Sequence, residues 1–282
     1  MSAASGKVRE DHGLFGPESL AWKVIGHPVA VVAGVRALII QTLHPLAMAG
    51  VAQHSDYRNR SLDRLQRTAA YVTATTFGDT ATAYAAAARV KAIHRRVRGI
   101  DPVTGRPYSA DDPDTQLWVH CVEWHSFLAI YRAYGGRLSP EDQDHYLAEG
   151  ARVAALLDVP PERVPASVAE MREYFESVRP QLCISAAARE AIDFVVRPPL
   201  TRELLPLQVP LRIAARAAIA TIPRHLRTLA GLEGPRPLDA VTVAAVRPAA
   251  AALTLPVLRD APALVLGAEV RAVRDSARAL AA

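Results

Sequence analysis

RLQRTAAYVTATTFGDTATAYAAAARVKAIHRRVRG, residues 64–99, reads as two helices broken at Phe77-Gly78-Asp79. Asp79 or Thr80 offers an N-cap for the second helix, and Gly99 after a basic last turn offers its stop. Between these signals Ala85, Ala86, Ala87 and Ala88 leave the helix thin, and His94 follows. A run of methyl groups lets something flat and bulky lie close to the backbone, while a neutral imidazole offers a lone pair to a metal. Lys91 and Arg98 precede and follow His94 by three and four positions, so on a helix reaching Gly99 all three share one face. A cofactor with a flat apolar body, a metal and two carboxylates would suit that face, and haem is such a group. The plain alternative is a solvated histidine complementing the helix dipole.

Residues 1–16 are polar and contain glycine, which describes a mobile arm. From Pro28 the chain is apolar for long enough to raise the question of a membrane span, but Arg36, Gln41, His44 and Pro45 interrupt it. Its unbroken runs fall short of the ~20 residues a bilayer needs, so a buried core helix broken at Pro45 is expected, with His44 a satisfied core histidine turned inward. The polar connection AQHSDYRNRSLD, residues 52–63, supplies Ser61 or Asp63 to cap the next helix. Arg64 in the first turn opposes the helix dipole, the kind of local mismatch a functional residue makes. A surface pairing of Arg64 with Asp56 or Asp63, and a bond from Thr68 back to the Arg64 carbonyl, are the structural alternatives.

Residues 100–113 are turn-rich, and Asp111 or Asp112 before Pro113 starts the most aromatic helix, TQLWVHCVEWHSFLAIYRAYGG. Its apolar stripe takes in Leu117, His120 or Cys121, Trp124, Phe127 or Leu128, and Tyr131. His120 and His125 project about 140° apart on a helix and do not share one metal. Ser139 caps a helix to about Leu157 and Ser167 another containing Val168, Met171, Phe175 and Val178; proline-punctuated helices follow to 230. The expected fold is all-α: a mobile arm over 1–16, one globular multi-helix domain over 17–235 with proline-rich connections, and a helical extension over 236–282 packing on the same domain. The tail also suits a weak membrane-surface contact.

Half of the 282 residues are hydrophobic, enough for a substantial core, and the net charge of +5 is modest. No Lys/Arg block with interleaved aromatics speaks for nucleic acid. Two cysteines far apart, Cys121 and Cys183, and a first stretch without an export signal make a cytoplasmic chain with reduced thiols the expectation, soluble or peripheral to the membrane. CxxCH and a glycine-rich thiolate loop are absent, so a haem here would be b-type and held through nitrogen. The zinc-peptidase HExxH, paired Glu-x-x-His, GxGxxG, the P-loop and GxSxG are absent too. Cys121 beside His120 makes no nucleophile pair, since adjacent helical side chains diverge.

HPLAMAGVAQHS (44–55), RLQRTAAYV (64–72), KAIHRRVRG (91–99) and YSADDPDTQLWVH (108–120) resemble motifs of the rubber oxygenase/MpaB family, the relatives of latex clearing protein. The resemblance covers roughly residues 25–230. It implies an all-helical fold carrying haem b, with His94 as the axial iron ligand and with Arg64 and Thr68 on the distal side, donating hydrogen bonds to dioxygen or peroxide. Lys91 and Arg98 fall where basic residues flank the ligand and would neutralise the propionates. His120 is a motif position, the second choice for the iron, and with Trp124 lies next to the cofactor. Arg67 stands where rubber-cleaving members have a lysine before the threonine, and the glutamate proposed as their base has no clear counterpart. The resemblance therefore implies haem and not rubber cleavage.

The expected function is that of a haem b-dependent oxygenase or peroxygenase on a small or lipid-like apolar substrate, compatible with a redox partner and a homodimer. The alternatives are a non-catalytic haem-binding or sensing protein and a cofactor-free helical binding protein.

Overall fold

The computed structural model describes residues 11–198, 205, 207–258 and 260–281. Ser19 accepts from the Trp22 N–H to start α1 (Leu20–Ile25). α2 (Ala30–Gln41) runs into a turn at Thr42–His44, and Pro45, at the first helical position, restarts the chain as α3 (Pro45–His54), bent 104° from α2. α4 (Ser61–Phe77) and α5 (Thr80–His94) are joined through Gly78 and Asp79, whose carboxylate accepts from the Thr82 N–H at 2.7 Å. Two short strands, β1 (Arg98–Ile100) and β2 (Pro107–Ser109), pair antiparallel with Gly99 opposite Tyr108. Asp112 caps and Pro113 opens α6 (Pro113–Ile130), which loosens into a π-helical turn at Tyr131–Gly135. α7 (Pro140–Glu149), α8 (Ala151–Ala155), α9 (Val168–Val178) and α10 (Ala186–Val196) follow. α11 (Gln208–Thr221), α12 (Arg224–Ala230), α13 (Arg236–Ala252), α14 (Ala261–Leu266) and α15 (Ala268–Ala281) complete the described chain.

α6 is the axis of the core because its large apolar residues are buried on opposite sides, Trp118, Val122 and Leu128 as completely as Cys121, Trp124 and Phe127, with His120, Glu123 and His125 set among them. α2 lies along it, and α11 lies on α2. The long apolar stretch from Pro28 is thus core: Ala33, Ala37, Ile39 and Ile40 are buried, and among the described residues no single helix is long and apolar enough to cross a membrane. His44 is buried, its Nδ1 accepts from the Ala47 N–H at 3.4 Å, and its ring lies 5.7 Å from that of Trp118. It is the satisfied core histidine that the sequence suggested.

The mostly helical expectation holds, with three corrections of detail. Residues 1–10 of the expected mobile arm lie outside the described residues, but Asp11 is tied down by hydrogen bonds and Phe15 is packed into the core. Asp11 Oδ1 accepts from the Thr80 N–H at 2.8 Å, Phe15 is 1% exposed, and Gly13 at φ +72° sits where a Cβ would meet the Gly78 carbonyl. The second helix of the hairpin stops at His94, five residues before Gly99. Gly99 is a strand residue, pressed so close to Tyr108 that a Cβ would lie 2.9 Å from its hydroxyl oxygen. The Ser139 helix, expected to reach about Leu157, breaks at Gly150, where Trp124 packs against the backbone. In the tail, α15 packs along α4, α13 packs on α11, and Gln66 donates to the Val265 carbonyl at 3.0 Å.

Candidate functional site

α4 and α5 pack on each other as a hairpin. Counted from their connection, Arg64 and His94 sit nearly equally far along their helices, so the hairpin brings the two residues level. The end of α3 bridges that end of the hairpin. Ser55 Oγ accepts from Arg64 Nη1 at 3.0 Å, and the neighbouring His54 Nε2 is 3.2 Å from the Arg98 carbonyl oxygen and 3.1 Å from the Tyr108 hydroxyl.

Arg64 is half-buried and pairs with neither of the acids the sequence offered, since Asp63 is taken by Arg60 at 2.7 Å and Asp56 accepts from Asn59. Burial holds its guanidinium below the usual arginine range, offset by the nearby Tyr57. Thr68, one turn on, is exposed and donates to the Arg64 carbonyl at 3.0 Å, the back-bonded alternative. Tyr71 continues the same face. Its hydroxyl is sealed from solvent without a hydrogen bond among the described residues, and burial, then Glu123, pushes its pKa up.

His94 closes α5 half-buried. Its Nδ1 is sealed and has no hydrogen-bond partner among the described residues, and burial keeps its pKa below the usual 6.5, opposed by Asp111. The ring is therefore neutral at pH 7, the form that donates a lone pair. Lys91 and Arg98 do not stand ready beside it. Lys91 Nζ is paired with Asp158 at 2.5 Å, while Arg98, in β1 rather than on the helix, donates to the Arg95 carbonyl at 2.7 Å. Arg67 is exposed, in a shallow surface hollow between α4 and α15.

On α6, His120 stacks at 5.6 Å and 33° on Trp124, which in turn lies 4.8 Å from Tyr146. Burial lowers His120 to about 3, so it too is a neutral imidazole, with no hydrogen bond among the described residues. Three positions on is Glu123, whose importance the sequence reading missed. Burial raises its carboxyl to about 7, it bonds to nothing among the described residues, and its charge is felt by both Tyr71 and Tyr146. The signal available was an acid set into the most aromatic helix, one turn after a histidine.

The structure thus gathers Arg64, Thr68 and Tyr71 on one face of α4 and sets His94 level with Arg64, while the charge of the buried Glu123 acts on Tyr71. It leaves Lys91, Arg98 and Arg67 engaged or exposed. A porphyrin supplies its metal's in-plane ligands itself and asks the protein for an imidazole, and His94 fits that request: neutral, half-buried and uncommitted. The propionate cations fit only after leaving their present partners. The chain is thus a helical domain with a neutral, half-buried imidazole on one arm of a hairpin and an Arg/Thr pair on the other. The family model described as "ER-bound oxygenase mpaB/B'/Rubber oxygenase, catalytic domain" matches residues 22–254, most of the chain, and the protein belongs to that family. No curated protein and no solved structure matches it.

Proposed function

We propose that this oxygenase-type domain binds haem b and oxidises a small or lipid-like apolar substrate. The observation that carries the proposal is the unsatisfied, neutral imidazole of His94, set level with a half-buried Arg64 that has no acidic partner among the described residues. When bound, the haem would supply the iron that activates dioxygen or peroxide. His94 would hold it from the end of α5. Arg64 Nη1 and the Thr68 hydroxyl would donate toward negative charge developing on the oxidant, Thr68 by swinging its O–H away from the Arg64 carbonyl. Glu123, poised to hold or release a proton near neutrality, would serve as the proton store.

The test is an absorption spectrum of the freshly purified protein and of the protein titrated with haemin. A Soret band that disappears in His94→Ala, with helicity by circular dichroism unchanged, is expected. Colourless protein that takes up no haem would sink the proposal and leave a cofactor-free binding domain. A second reading rests on His120, which is also neutral and makes no hydrogen bond among the described residues. If His120→Ala loses the band and His94→Ala keeps it, the ligand is on α6. A six-coordinate low-spin spectrum indifferent to oxygen and peroxide would make the protein a haem sensor rather than an oxygenase.

A further inference from the structure

α6 presents a second polar interior on its other flank. Trp118, Val122, His125, Ala129 and Arg132 follow one another at helical spacing, turned away from His120 and Glu123. With α2, α9 and α12 they enclose a cleft of about 290 Å³, near the lower end of the ~300–1,000 Å³ range of small-molecule pockets. Its walls are apolar: Ile40, Trp118, Val122, Leu128, Met171 and Phe175.

At the base of this apolar cleft lies Arg36, only 1% exposed. Its Nη1 donates to Ser126 Oγ at 2.7 Å and stands 3.5 Å from His125 Nδ1, both neutral partners. Its Nε is sealed without a partner, Nη2 carries no hydrogen bond, and no carboxylate reaches it among the described residues. Burial holds the guanidinium down at about 9, still charged at neutral pH. His125 cannot compensate it, since burial and the Arg36 and Arg132 charges drive that ring to about 3. A desolvated cation without a counter-ion is an arrangement that folded proteins rarely keep, because the desolvation penalty goes unopposed. An anionic group entering the cleft would supply the missing partner through charge-assisted hydrogen bonds. The mouth points the same way: Arg132 and Arg172 are exposed there with no ion pair among the described residues, and Arg179 shares only Glu176, at 3.2 Å.

We propose that this cleft binds an aliphatic monocarboxylate of medium chain length, with the carboxylate on Arg36 and the chain against Trp118, Met171 and Phe175. The site is separate from the His94 site and does not depend on haem being there. The apolar walls select against a free inorganic anion, and the buried guanidinium selects against a neutral hydrocarbon.

The test is calorimetric titration of the full chain, with whatever cofactor it carries, using decanoate, decanol and inorganic phosphate as probes. Decanoate is expected to bind at least tenfold tighter than decanol, and phosphate not to displace it. Arg36→Met should bring decanoate down to the level of decanol. Ala129→Phe, which fills the cleft and leaves the charge alone, should weaken both by tenfold or more. Equal binding of decanoate and decanol to the wild type overturns the proposal, whether or not Arg36→Met folds. So does a decanoate preference that survives Arg36→Met, unchanged binding to Ala129→Phe, or displacement by phosphate.

Discussion

Arg64 Nη1 donates to Ser55 Oγ at 3.0 Å, tying the start of α4 to the end of α3. The preceding residue, His54, reaches the Arg98 carbonyl just beyond His94, so one short segment holds both sides of the candidate site. Ser55→Ala removes the only hydrogen bond of the Arg64 guanidinium among the described residues. The expected loss is about 1–2 kcal/mol, a fall in Tm of a few degrees. In a haem-loaded enzyme it should also slow turnover while leaving the Soret band in place. An unchanged melt together with unchanged turnover would mean that Ser55 does not aim Arg64.

Thr68 is exposed and its hydroxyl is spent on the Arg64 carbonyl, a bond that adds little to helix stability. Thr68→Val should therefore change stability by no more than about 0.5 kcal/mol. If the hydroxyl donates to the oxidant, Thr68→Val should keep the haem and lose at least tenfold in turnover, with Thr68→Ser restoring most of it. A variant that fails to fold would make Thr68 structural.

Glu123 is raised by burial from 4.5 to about 7, so the folded state binds its proton more tightly than the unfolded chain does. Below pH 4.5 both states are protonated and the residue is neutral in effect. As pH climbs from 4.5 to about 7 the unfolded chain gives up this proton while the folded state keeps it, so stability falls, levelling off once the folded carboxyl is ionised too. Glu123→Gln should be indistinguishable from wild type at pH 4 and more stable by about 2–3 kcal/mol at pH 8.5. Denaturant melts at the two values check this, and a uniform difference across pH would show that Glu123 acts through packing.

Buried histidines act in the opposite direction. His120 and His125 are both lowered to about 3 by burial, with Arg36 and Arg132 adding to the effect on His125. The unfolded chain takes up protons below about 6.5, where the folded rings refuse them. Their contribution to stability is complete above pH 6.5 and is lost as pH falls toward 3. The melting temperature of His120→Gln should decline less steeply between pH 6.5 and 4 than that of the wild type. Parallel decline would place the acid lability elsewhere.

What the sequence disclosed was what local chemistry fixes. The break at His44-Pro45, the Asp79 cap and the Asp112-Pro113 start are all properties of a few consecutive residues, and each stands where its signal puts it. What it concealed depended on partners far along the chain. Gly99 reads as a helix stop, yet its place is set by pairing with Tyr108, so the basic face expected around His94 is divided between a helix and a strand. Phe15 is a single aromatic in a polar stretch, and only its contact with Trp124 shows it to be core. Arg36 registers in the sequence as an interruption of an apolar run, an argument against a membrane span. That it is buried without a carboxylate emerges only when α2 is laid on α6.

The C-terminal extension supplies the contrast to Arg36. Arg227 is 3% exposed, and both its Nη atoms donate to Asp239, at 2.8 and 2.7 Å, while Arg216 adds a third bond at 2.9 Å. One carboxylate on α13 thus fastens α11 and α12. The paired charges hold Asp239 below the usual carboxylate range, with the Arg227 hydrogen bond as the main cause. Asp239→Ala would leave Arg227 as a second buried cation without a counter-ion, and breaking such a pair costs about 3–5 kcal/mol. Asp239→Leu combined with Arg227→Met should recover most of that loss, because neither charge is then stranded. If the double variant is no more stable than Asp239→Ala, the attachment of α13 depends on the ion pair itself and not on the avoidance of an unpaired charge.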